Sequence, residues 1–114
     1  VDDISDEGPE PAPEWRDAQN NLCGSVRVRD AAVVAKRFVR AGWRSRSSSS
    51  HGYEVETSWC MVELDPLGKG GVLMNGVIDP GRLDLLATLL TRLGMSFTLE
   101  LYDENDRLLR EVSA

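Results

Sequence analysis

The chain has 114 residues, 41% hydrophobic and 28% charged, with a formal net charge of -6. That size and balance fit one globular domain and exclude a wholly disordered chain. Its apolar runs are broken by charges and glycines well short of the roughly 18 residues a membrane helix needs, so neither a membrane span nor a membrane partner is expected. No basic, apolar and small-residue leader opens the sequence, and the expected compartment is therefore cytoplasmic.

Charge is unevenly spread. Residues 1–17 hold seven acids against Arg16 alone. Residues 18–46 carry seven bases against Asp30, and residues 47–114 carry five bases against eleven acids. Two readings follow: the halves fold against each other or are simply solvated, or the acidic half is a steering surface. An acidic surface speeds encounter with a basic partner and repels nucleic acid. The basic stretch lacks the aromatic interleaving of a base-stacking platform, so no nucleic-acid partner is expected.

In chain order, residues 1–17 form an acidic, proline-rich tail with Pro9, Pro11 and Pro13, too poor in apolar groups to offset the entropy of ordering. Trp15 is the exception, a ring large enough to dock on the domain or on a partner. Residues 18–114 form the single domain. From Leu22, Val26 and Val28 alternate with Arg27 and Arg29 as in a half-buried strand. Asp30 is the expected N-cap of a helix that buries Ala31, Val34, Phe38 and Ala41 and stops at Gly42.

Trp43 opens a short strand that runs into a low-complexity tip, Ser47, Ser48, Ser49, Ser50, His51 and Gly52. Residues 53–64 are β-branched and aromatic, and read as one long strand whose alternation inverts near Trp59 and Cys60. A bulge or burial on both faces accounts for the inversion. A glycine-rich turn leads to a strand at 72–78. Asp79 and Pro80 then start a second helix bearing Leu83, Leu86, Leu90 and Leu93 on one side. Phe97, Leu99 and Leu101 alternate in the next strand, and a polar turn leads to a last strand at 107–112.

The expected fold class is α+β: a mixed or antiparallel sheet with two helices on one face. Its order is the ferredoxin-like β-α-β-β-α-β pattern plus an extra C-terminal strand. Chemistry is sparse. His51, the sole histidine, sits in a serine tip without the rigid third group that nucleophilic catalysis requires. Cys23 and Cys60 have no zinc spacing and read as two buried free thiols, with a disulfide as the alternative in an exported chain. Asp103, Glu104 and Asp106 lack the calcium-loop spacing and read as a solvated turn. The glycines around Lys69 lack the rest of a phosphate loop. No metal, cofactor or catalytic residue is expected, and the chain is not read as an enzyme. Glu54 and Glu56 either pair with Arg27 or Arg29 across the sheet or face a partner.

The segments VELDP at 62–66, NGVIDPGRLDLLATLLTRLG at 75–94 and FTLELYDENDRLLRE at 97–111 resemble small bacterial immunity proteins that accompany polymorphic toxins. The resemblance covers about half of the chain and carries over no catalytic residue. It implies a non-catalytic binder that occludes the active site of a cognate toxin, with a basic, nuclease-like toxin as the electrostatic match. Its expected partner-binding residues are Glu54, Glu56, Asp103, Glu104 and Asp106. The alternative is a small-molecule sensor or regulatory domain that forms a homodimer through an exposed sheet edge.

Overall fold

The computed structural model describes residues 19–48 and 51–114. The expected tail at 1–17, its Trp15, and Ser49 and Ser50 of the serine tip lie outside the described residues. The first strand, β1, spans Leu22–Val26 and leads into helix α1, Ala31–Arg40. Four strands follow: β2 (Arg44–Ser47), β3 (Tyr53–Thr57), β4 (Cys60–Pro66) and β5 (Val72–Ile78). A 3-10 turn, Pro80–Arg82, precedes α2 (Leu83–Arg92), and β6 (Phe97–Tyr102) and β7 (Leu108–Ser113) close the chain.

Local chemistry sets the helix ends. Asp30 Oδ1 accepts the Ala32 N–H at 2.9 Å, and Asp79 Oδ1 accepts the Gly81 N–H at 3.1 Å. Each thereby satisfies a donor that the first helical turn leaves without a carbonyl. After each helix the chain turns away through a left-handed glycine, Gly42 at φ 98° and Gly94 at φ 77°, a conformation that costs glycine nothing sterically. Ala41, expected on the buried arc of α1, is exposed because it is already the C-cap.

All the strands pair antiparallel in one seven-stranded sheet ordered β2-β3-β4-β5-β1-β6-β7. This is an α+β architecture, but it does not reproduce the plain ferredoxin-like pattern, which has no place for a β2–β3 hairpin between α1 and β4. The expected long strand at 53–64 is itself a hairpin. Thr57 pairs with Cys60 across the two-residue turn Ser58–Trp59. The inverted alternation therefore marks a chain reversal, not a bulge: an even-numbered loop exchanges which parity faces the core.

One face of the sheet carries the core. Leu22, Val26, Val55, Val62, Leu64, Val72, Met74, Phe97 and Leu99 form a single cluster with Val34 and Phe38 of α1 and Leu83, Leu86 and Leu90 of α2. Full burial of each leucine is worth about 1.5–3 kcal/mol. At the α1 end, the Trp43 ring lies 4.7 Å from Phe38 and 5.4 Å from Trp59, the latter edge-on. Trp59 thus ties the β3–β4 turn to the helix side, a favourable ring geometry. Both described helices occupy this face; among the described residues no helix lies on the other, the helix-free face. Among the described residues, no helix is long and apolar enough to cross a membrane.

Candidate functional site

Strand alternation places every second residue on the helix-free face, and strand pairing decides which of them stand side by side. The register aligns Arg46, Glu54, Glu63, Asn75, Cys23, Glu100 and Glu111 in one lateral row, one residue from each strand. Two like-charged pairs in this row are direct opposites: Glu54 with Glu63, and Glu100 with Glu111. Tyr102 O–H donates to Glu100 Oε1 at 2.9 Å. This bond to a carboxylate raises the phenol pKa, because the proton is held by the acceptor.

The row begins at the basic edge strand β2. Arg46 Nη1 lies 3.2 Å from Glu54 Oε1, and Arg44 Nη2 lies 2.9 Å from Glu56 Oε2. Glu56 is buried at 7% exposure, and it faces Arg44 directly in the strand register. Burial pushes the Glu54 carboxyl above the ordinary carboxylate range; Arg46 opposes the shift and the charge of Glu63 reinforces it. The crevice among Arg44, Ser45, Arg46, Glu54 and Glu56 holds about 10 Å³, room for one water molecule and not for a ligand.

The expected pairing of Glu54 and Glu56 with Arg27 or Arg29 does not occur: the guanidiniums of Arg46 and Arg44 on the adjacent strand hold them. β1 stands three strand positions from β3, about 14 Å at ordinary spacing. Nor do the five expected partner-binding residues converge. The β6–β7 turn lies four positions from β3, about 19 Å away. Within that turn Asp103 Oδ1 accepts the Asn105 and Arg107 N–H groups at 2.8 and 2.9 Å, so this carboxylate organises the loop. Glu104 and Asp106 are exposed. Asp106 also lines an open depression of about 370 Å³ with Cys23, Asn75 and Tyr102, which links the turn to the row.

Glu63, Glu100 and Glu111 were not singled out from the sequence. Each sits at a polar position of an alternating strand, a legible signal, but the row they share exists only through register between distant strands. The two thiols also differ from expectation. Cys60 is buried, whereas Cys23 is half-buried on the helix-free face, and both are free. β5 separates their strands, a span of about 10 Å, beyond the roughly 7 Å between Cα atoms that a disulfide bridges. Burial pushes the Cys60 thiol up, away from the reactive thiolate.

His51 is exposed at the rim of a second open depression, about 390 Å³, with Arg29, Asp30, Ala31, Tyr53 and Pro66. The Asp30 carboxylate there is engaged in capping α1. Among the described residues no group of three or more His, Cys, Asp or Glu side chains is placed to hold a metal ion.

Comparison with protein-family models, curated proteins and solved structures finds nothing that matches this chain. The site must therefore be read from its own residues.

Proposed function

We propose that this protein is a non-catalytic protein-binding module that receives a basic partner on its helix-free sheet face. In the immunity-protein reading, that partner is a cognate, nuclease-like toxin whose active site the module occludes. One observation carries the proposal: the lateral row opposes carboxylate to carboxylate twice, Glu54 to Glu63 and Glu100 to Glu111. Like charges directly opposite across a sheet are destabilising. A cationic surface laid over the row relieves that repulsion, so part of the fold's electrostatic cost becomes binding free energy. Glu104 and Asp106, exposed at the nearby hairpin tip, extend the field.

The test is co-purification with the product of the neighbouring reading frame, together with rescue of growth when that product is expressed. Complex formation that weakens with salt, and weakens further in Glu63→Lys or Glu111→Lys, supports the reading. Absence of a complex, with growth unaffected by the neighbouring product, removes it.

The sensor reading has one observation in its favour. β7 is an edge strand with Leu108 and Leu109 about half exposed, at 52% and 54%, and such an edge is available for pairing with a second copy. Concentration-dependent dimerisation together with a ligand-dependent thermal shift would favour it.

A further inference from the structure

Cys23 stands between Asn75 of β5 and Glu100 of β6 in the lateral row. Its side chain is the shortest of the three, and the sheet surface dips there. Tyr102, two residues along β6 from Glu100 and so on the same face, lines the dip together with Asp106 of the β6–β7 turn. The depression measures about 370 Å³, within the range of about 300–1,000 Å³ found for ligand clefts. The crevice at Arg44 holds only about 10 Å³. We infer that this depression receives an arginine side chain of the partner. The inference rests on the binding-module reading above and names the group that the partner inserts.

Charge selects a cation. Among the described residues that line the depression, Asp106 is the one charge, and no base is present. Asp103 in the same turn spends its carboxylate on the loop's own N–H groups, whereas Asp106 is exposed. The Glu100 carboxylate lies next door, bonded to the Tyr102 hydroxyl at 2.9 Å and opposed by Glu111. A cation seated here therefore meets several acids and displaces no resident base.

The other lining groups select a guanidinium over an ammonium. Tyr102 supplies a half-buried ring, and its bond to Glu100 pins that ring along β6, which lowers the entropy cost of binding. A cation over the ring gains from the ring quadrupole. Asn75, also half-buried, offers an amide carbonyl as acceptor. A planar guanidinium can stack on the phenol while its forked donors serve a carboxylate and an amide together; an ammonium is a strongly hydrated point charge without a stacking face.

The experiment titrates the isotope-labelled full chain with a terminally blocked Gly-Arg-Gly peptide and follows amide NMR shifts. Saturable shifts are expected at Cys23, Tyr102 and the Asn75 side-chain amide. Asp106 is held at φ 60°, a left-handed conformation that Asn tolerates as Asp does, so Asp106→Asn removes the charge and keeps the turn. That variant should weaken the affinity at least about two-fold. Asp65→Asn, which removes a charge from β4 on the same face outside the depression, should not. The neutral citrulline peptide should give no saturable shift, and the lysine peptide should bind at least about two-fold more weakly. Absence of shifts at these residues overturns the inference. So does an equal response to citrulline or lysine, or an equal loss in Asp65→Asn and Asp106→Asn. Co-purification with the neighbouring product tests the reading separately. A complex that Asp106→Asn leaves equally tight overturns the inference and leaves the reading standing, whereas arginine-specific shifts without any complex uphold the site and remove the reading.

Discussion

Glu54 on β3 stands directly opposite Glu63 on β4, with Arg46 of the edge strand hydrogen-bonded to Glu54 from the other side. One carboxylate is thus pulled between a cation and an anion in a partly buried place, and burial decides the direction: its pKa is raised. Because the folded value lies above the unfolded one, the folded chain holds the extra proton between the two. Stability therefore falls as pH rises through that window, and the loss persists at neutral pH.

Glu63→Gln removes the like charge. The Glu54 midpoint in a carboxyl carbon NMR titration should move down. The variant should gain about 0.5 kcal/mol at pH 7 in denaturant unfolding, and the gain should shrink as falling pH protonates Glu54, whose carboxyl is held above its ordinary range. An unmoved midpoint would show that Glu54 does not feel its opposite number.

Gly76 marks a backbone pinch in the sheet centre. A Cβ there would overlap Met61 O and come within 2.7 Å of Val62 Cα, whereas one at Gly81 meets its nearest atom, Asp79 Oδ1, at 3.6 Å. Backbone in a central strand has no room to yield. Gly76→Ala should cost at least about 2 kcal/mol in urea unfolding, while Gly81→Ala should fall within about 0.5 kcal/mol of the parent chain. Equal stabilities for the two variants would contradict the pinch.

The thiols should separate cleanly under alkylation. Cys23 is half-buried on the helix-free face, and Cys60 is buried beneath the helices with its thiolate disfavoured by burial. Mass spectrometry after iodoacetamide treatment of the native chain is expected to find the label on Cys23, with Cys60 labelled only after denaturation. Early modification of Cys60 would show that this part of the core opens readily.

The comparison with the sequence turns on particular elements. Asp30 announced the start of α1, and Asp79–Pro80 the 3-10 turn that leads into α2 at Leu83, because capping is a local transaction between a carboxylate and amides two residues away. Leu83, Leu86 and Leu90 announced the buried arc because helical periodicity is written in consecutive residues. The inverted parity around Trp59 was visible too, but a bulge, two-sided burial and a two-residue turn leave the same trace in a linear pattern. Pairing of Thr57 with Cys60 separates them.

The candidate site was less legible. Glu54 and Glu56 were singled out correctly as polar strand positions, but their cations came from Arg46 and Arg44, adjacent in the sheet, and not from the arginines flanking β1. Asp103 was grouped with the binding residues, although its oxygen serves its own loop.

Composition, caps and periodicity, each acting over a few residues, determined by themselves that this chain builds an α+β domain with amphipathic helices and half-buried strands. Strand order and register decided the rest: Glu63, Glu100 and Glu111 enter one row, Met61 meets Val77, and both described helices fall on one sheet face. The physical reason is range. Hydrogen bonding and side-chain alternation are local, whereas the row joins residues as distant as Arg46 and Glu111, and only closure of the whole sheet brings those charges into line.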